Sequence, residues 1–442
     1  MSRKRFPAIL DLTIESIDAE GIGFAPLGEK SARVKGGLPG ESLSARTVGR
    51  RKGAALAVAQ DVVANASSQR QAAPCEVFPR CGGCALQHMT YEAQLELKQQ
   101  GLLGELAAAG VAFDTLRAPV ASPQFGYRRK ARLGVRKLDE LQLVGFRETF
   151  GGRVVKMDRC LALAQPFDGL IGQLAALVAA LSAPAAIPQI ETAVGDNQTA
   201  LIIRHLERLT PGDVKLLDAF QTRHDLSIYT QSKGYDTVTA LSEGVPLLNY
   251  SLPEFGLNLE FSVTDFIQVN RHINAALVRS VAAALQSDGP LRVADMFCGI
   301  GNFSLPLARR GHQVSGWEAA GEAIDRARSN ARRNGLAAST KFHVADLYGQ
   351  PGDKKLKTPV AEITGMDALV LDPPRSGAGP ALVSWLDQPL RKVVYVSCNP
   401  TTFASDARTL VEQGFKLTEV GIYDMFPHTA HVETLGVFER HG

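Results

Sequence analysis

Cysteine is scarce in this chain, long apolar runs are missing, and net charge is almost nil. Six cysteines among 442 residues exclude a small disulfide-stapled scaffold. The 48 Lys and Arg stand against 45 Asp and Glu, a formal charge of +3, so bulk charge does not mark the chain as a polycation. The most apolar stretch, 170–188, is rich in Ala, carries Gln173 and is broken by Pro184 and Pro188; it reads as a buried helix and not as a membrane span. Near the N-terminus Asp11 and Glu15 interrupt any apolar signal core, so the chain is expected in the cytoplasm, where disulfides are not the default use of cysteine.

What is present is the material of a globular protein. The chain is 45% hydrophobic and 21% charged, too apolar for disorder and sufficient for several cores. A prior of about 150 residues per domain gives roughly three domains. Charge is unevenly spread: 128–137 read RRKARLGVRK, six cations in ten residues without an acid, and 3–5 and 50–52 are shorter basic clusters. Such stripes are either solvated surface or a footprint for phosphate contacts.

Residues 1–63 read as a small β domain. A near period-two run at 9–15 is followed by short segments cut by Gly21, Gly23, Gly28, Gly36, Gly37 and Gly40, the pattern of a small barrel. A polar linker spans 64–74. Residues 75–265 read as an α+β region with a helix at 91–109 and an apolar helix near 167–182. From 266 to 442 the rhythm is α/β: a helix at 271–286 with Asn270 as N-cap, strands at 291–296, 313–317, 341–345, 368–371 and 392–397, and a helix at 322–333 closed by Asn334-Gly335. Alternation of this kind predicts a parallel sheet with helices on both faces.

Ligands of an open parallel sheet bind beyond the carboxyl ends of its strands. Those ends carry Asp295 and the Gly299-x-Gly301 turn, then Glu318, Asp346, Asp372-Pro373-Pro374 and Ser397-Cys398-Asn399-Pro400. One polar residue there is a turn former; five in register point to a ligand edge. Glu318 follows Asp295 by 23 residues, a spacing suited to ribose hydroxyls, yet the full dinucleotide glycine fingerprint is missing. A nucleoside cofactor without a pyrophosphate site points to S-adenosylmethionine. Asp372-Pro373-Pro374 resembles the loop of amino-group methyltransferases, but Arg375 replaces their stacking aromatic residue. Cys398 suits a different chemistry. A thiolate adding to carbon 6 of uracil makes carbon 5 nucleophilic, and a base must later remove the carbon-5 proton. A cytosine-methylating enzyme also uses a cysteine, without cytosine contacts that the sequence identifies. Cys75, Cys81, Cys84 and Cys160 form a second constellation, in which soft thiolates bind zinc or an iron–sulfur cluster. Cys298 is read as packing.

With these residues in view, the last 180 or so positions resemble the RNA 5-methyluridine methyltransferase family. The matching motifs are Phe266-Ile267-Gln268-Val269-Asn270, Asp295 to Phe303, Asp372-Pro373-Pro374-Arg375, Ser397-Cys398-Asn399-Pro400 and Phe426 to Glu433. The resemblance implies a Rossmann-like methyltransferase domain with Cys398 as nucleophile and Glu433 as base. It further implies that Gln268, Phe297, Asn302, Glu318, Asp346 and Asp372 bind S-adenosylmethionine, although many relatives carry Asn at the position of Asp346. Residues 1–63 resemble a TRAM domain, an OB-like RNA-binding barrel, and Cys75, Cys81, Cys84 and Cys160 match the family's 4Fe-4S ligands, zinc being the alternative. Barrel and cysteines together resemble the ribosomal branch that methylates uracil 1939 of 23S rRNA. The implied partner is large-subunit ribosomal RNA, with no membrane partner, and a monomer is expected. Rival readings are the same chemistry on tRNA and a non-catalytic RNA-binding assembly factor.

Overall fold

The computed structural model describes residues 8–349 and 363–440; the basic cluster at 3–5 lies outside them. Strands Ile9–Thr13, Ser16–Ile17, Ile22–Leu27, Lys30–Lys35, Ser42–Arg51 and Ala54–Ala64 form one barrel-like sheet. Its core is built from short side chains, among them Ala25, Ala32, Ala45, Ala55 and Ala57 around Leu12, Val34 and Leu43, as a narrow interior requires. The 64–74 segment is fastened to this sheet, because Arg70 ion-pairs with the fully buried Glu41.

A second six-stranded sheet has the order Val238–Ala240, Ser227–Gln231, Thr199–Arg204, Gln189–Val194, Lys130–Leu138, Leu141–Gly145. Helices Ile171–Ala180 and Pro211–His224 accompany it; a Thr210–Asp213 capping box starts the latter. The basic stripe runs into the strand Lys130–Leu138, and the period of two divides it. Ala131, Leu133 and Val135 turn into the core while Arg132, Arg136 and Lys137 face solvent. Arg129 is buried against Asp196, and Lys130 donates to the Val263 and Asp265 carbonyls at 2.8 and 2.5 Å. Those two cations are internal fastenings and not parts of an exposed phosphate track.

The third sheet has eight strands in the order Thr340–Val344, Gln313–Glu318, Arg292–Met296, Ala368–Leu371, Lys392–Ser397, Glu433–Glu439, Lys416–Tyr423, Phe113–Leu116. The first five are mutually parallel. Alternate residues feed opposite faces: Val394 and Val396 meet the cluster under the helix Arg271–Ala284, whereas Val393 and Tyr395 meet the one under Pro400–Glu412. Asn270 caps Arg271–Ala284 through the N–H groups of His272 and Ile273. The division by sequence position is crossed three times. Helix Tyr91–Ala109 buries Leu102 and Leu106 in the core of this sheet, and Phe113–Leu116 completes its edge beside Lys416–Tyr423. The hairpin Leu248–Leu252 and Leu257–Phe261 also packs into this core. No helix among the described residues is long and apolar enough to cross a membrane.

Candidate active site

Five parallel strands end at one edge, and each brings one of the sequence-predicted residues there. Phe297 follows Arg292–Met296, Glu318 closes Gln313–Glu318, and Asp346 lies just past Thr340–Val344; Asp372 follows Ala368–Leu371 and Cys398 follows Lys392–Ser397. Glu433 arrives from the opposite direction. Its antiparallel strand sets Ser397 beside Thr434, so the next residues out at the edge are Cys398 and Glu433. Two positions far apart in sequence become neighbours because one hydrogen-bond register fixes them.

This edge is acidic and poorly hydrated. Asp295 is fully buried, accepts from the Ser304 hydroxyl, and has its other oxygen unpartnered among the described residues. Burial, and secondarily the Glu318 charge, push Asp295 up to about 7. Asp372 accepts from the Gln268 amide at 3.3 Å and is also pushed up to about 7, by burial first and by Asp295 second. Burial and the Asp372 charge hold Glu433 far above the ordinary carboxyl range, and one of its oxygens has no partner among the described residues. Cys398 is driven to about 11 by burial, then by Glu433 and Asp372; Arg375 is the cation that opposes this rise and also that of Glu433. Arg375 in turn donates to His431 Nδ1 at 3.1 Å. The site is therefore a set of carboxyls and a thiol whose proton affinities are raised by burial and by one another's charge, which suits it to a cationic ligand.

The remaining candidate residues are held by the fold. Phe297 has a φ of +65°, a left-handed conformation that costs a residue other than Gly about 1–3 kcal/mol. Its ring lies between those of Tyr348 and Trp385, with centroids 5.9 and 6.4 Å away. Asn302 exchanges two hydrogen bonds with Asn274 at 2.9 and 3.0 Å and accepts from the Tyr250 hydroxyl at 2.9 Å. Glu318 accepts from the Ala320 N–H at 3.1 Å. Asp346 accepts from the N–H groups of Tyr348 and Gly349 at 2.8 and 2.9 Å, so that oxygen folds its own loop.

The sequence family described as tRNA (Uracil-5-)-methyltransferase matches residues 254–441. The 23S rRNA (uracil(1939)-C(5))-methyltransferase RlmD of Hahella chejuensis is 40% identical over 99% of both chains, and that of Alkalilimnicola ehrlichii is 41% identical over 99% of this chain and 98% of its own. The chain belongs to the RNA uracil-5-methyltransferase family. Its fold is similar to that of the Pyrococcus abyssi tRNA (uracil-54, C5)-methyltransferase in complex with S-adenosyl-L-homocysteine. The TM-score is 0.73 at 26% identity, over 97% of this chain and 100% of that one. Members of the family use S-adenosylmethionine, a cation at its sulfonium, and the acidic edge fits that charge.

In this family member the four other candidate cysteines also come together. Cys75, Cys81, Cys84 and Cys160 line one cavity with Gln87 and Tyr127. Burial raises the thiols of Cys84 to about 12 and of Cys160 to about 11, and the neighbouring cysteines add to both rises. No group of three or more His, Cys, Asp or Glu among the described residues is disposed to hold a metal ion. Sequence reasoning missed several residues at the catalytic edge. Tyr250 lies where no motif was recognised, and Asn274 reads as an ordinary helix residue; only tertiary contact with Asn302 singles them out. Phe266 was quoted within a motif without a role, yet 76% of it is exposed two residues before Gln268.

Proposed function

We propose that this enzyme transfers a methyl group from S-adenosylmethionine to carbon 5 of uracil 1939 in 23S rRNA. The observation that carries the reading is the pairing of Ser397 with Thr434, which makes a thiol and a carboxyl neighbours at the ligand edge of a family member. Cys398 adds to carbon 6, carbon 5 takes the methyl group, and Glu433 removes the carbon-5 proton as the thiolate leaves. Gln268, Phe297, Asn302, Glu318, Asp346 and Asp372 surround the methyl donor, and Asp372 also faces the uracil. A sulfonium beside Asp372 and Cys398 would lower their raised proton affinities and so favour the thiolate; that charge is lost on methyl transfer, before Glu433 acts. The target base leaves its stack to reach this edge, with Phe266 exposed to receive it or a neighbour.

The choice of 23S rRNA rests on full-length similarity to the two RlmD enzymes. The barrel-like sheet at 8–64 serves as a TRAM-type RNA-binding module, the region 75–265 as a central domain, and 266–442 as the methyltransferase domain, with Tyr91–Ala109 and Phe113–Leu116 docked on the last. The enzyme acts as a cytoplasmic monomer. Cys75, Cys81, Cys84 and Cys160 would hold a 4Fe-4S cluster. What supports this reading is that four thiols, those of Cys81 and Cys160 buried and those of Cys75 and Cys84 half-buried, line one cavity. Such a cluster, when bound, supplies cross-links between segments far apart in sequence.

The test is product mapping. Tritiated donor should place 5-methyluridine at position 1939 of unmodified 23S rRNA and nowhere in tRNA. Label in tRNA, or at another rRNA position, would overturn the substrate assignment. Iron and sulfide analysis with visible absorbance tests the cluster, and zinc without iron would refute it.

A further inference from the structure

One loop joins the cysteine cavity to the catalytic edge. Residues 424–432 link Lys416–Tyr423 to Glu433–Glu439 and lead the chain into Glu433. The His428 carbonyl accepts the N–H groups of both Ala85 and Leu86, at 2.8 and 2.9 Å, immediately after Cys84. Tyr127, which lines the cysteine cavity, donates its hydroxyl to the Pro427 carbonyl at 3.1 Å. Gln94 clamps His428 from the other side. Its oxygen accepts the His428 N–H at 3.0 Å, and its amide nitrogen, which donates to the Met89 carbonyl, lies 3.2 Å from Nδ1. Phe125 stacks on the imidazole at 4.6 Å. His428 itself has a φ of +65°, a conformation its surroundings must enforce.

These bonds hold the loop's strained middle and leave Glu433 with a partner-free oxygen among the described residues. We propose that Gln94 and Tyr127, with the Ala85 and Leu86 N–H groups, are positioning residues for Glu433, so that order in the cysteine segment governs proton removal and not methyl transfer. The inference rests on the uridine methylation proposed above. In the step concerned, the Glu433 carboxylate takes the carbon-5 proton. The C–H electron pair becomes the C5–C6 double bond, and the C6–S bond breaks with its pair returning to Cys398 as thiolate. A base displaced by about 1 Å loses on the order of a hundredfold in rate, while groups that act earlier are unaffected.

RNA carrying 5-fluorouridine separates the two stages, because addition and methyl transfer proceed but fluorine cannot leave as a proton. The metal-loaded full chain is compared with Tyr127→Phe, Gln94→Met and a control, Thr340→Val, which loses a buried hydroxyl bond at the start of Thr340–Val344. Expected for the first two is adduct formation within about twofold of wild type, turnover on uridine RNA reduced about tenfold or more, and a denaturant-stable adduct accumulating on uridine RNA. The control should show neither the split nor the accumulation. Parallel loss at both stages, or no loss in either variant, overturns the proposal; if Gln94→Met fails to fold, Tyr127→Phe decides. Absence of any wild-type adduct would instead overturn the parent reading, and this one with it. A second readout needs no RNA. Hydrogen exchange of 424–432 should quicken in Tyr127→Phe and on stripping the metal, with Lys392–Ser397 unchanged, and unaltered exchange in both would also overturn the proposal.

Discussion

Replacing Asp295 with Asn should stabilise the protein, and only where the native aspartate is made to ionise. Asp295 has no solvent exposure and its proton affinity rises from 3.8 to about 7 on folding. An unfolded chain ionises it near 3.8, so between that pH and about 7 the folded state holds the extra proton. Stability therefore falls as pH climbs through this window and the full penalty stands above it. Three pH units at 1.36 kcal/mol each set a ceiling of ~4 kcal/mol. Asn keeps an acceptor for Ser304 but sets an amide donor where the partner-free oxygen stood, which costs about 1–2 kcal/mol. The net gain at pH 8 is then about 2–3 kcal/mol, or several degrees of Tm. Thermal melts of both proteins without cofactor, from pH 5 to pH 8, measure it. A gap that widens with pH is expected; equal Tm at pH 8, or a gap independent of pH, would refute the electrostatic account.

Other changes test other joints. Arg375→Gln removes the cation that restrains Cys398, so the thiol should climb further and its alkylation by iodoacetamide at pH 9 should slow severalfold; an unchanged rate would show that Arg375 does not act on the thiol. Lys98→Met strands Asp424, its fully buried partner at 2.5 Å, and should lower stability by about 3–5 kcal/mol in denaturant titration. A loss below about 1 kcal/mol would contradict that burial. Within the basic stripe, Arg136→Ala should reduce the salt slope of RNA binding, whereas Arg129→Met should lower Tm and leave that slope alone. The reverse pattern would return Arg129 to the surface.

The α/β sheet was legible because each strand is a short apolar run closed by a polar or Gly turn. Strands predicted at 368–371 and 392–397 are observed as Ala368–Leu371 and Lys392–Ser397. The gathering of the candidate residues was legible for the same reason, since strand ends collect at one edge. What stayed hidden depends on partners distant in sequence. Phe113–Leu116 is mostly exposed and joins the sheet only because Leu417 pairs with Phe113. Tyr250 belongs to a hairpin with no motif and matters only through Asn302. The basic stripe was legible as a run but not residue by residue, because cations count equally in a sequence, while the period of a strand and a partner such as Asp196 decide which of them reach solvent.

The central claim is that Cys398 and Glu433 act in turn on one uracil carbon framework. Its most direct test is mass spectrometry of the protein after incubation with S-adenosylmethionine and an rRNA fragment carrying 5-fluorouridine at position 1939. The account predicts a peptide containing Cys398 joined to a methylated fluorouracil nucleotide, and no adduct from Cys398→Ala. An adduct on a different residue, or complete methylation by Cys398→Ala, would contradict it.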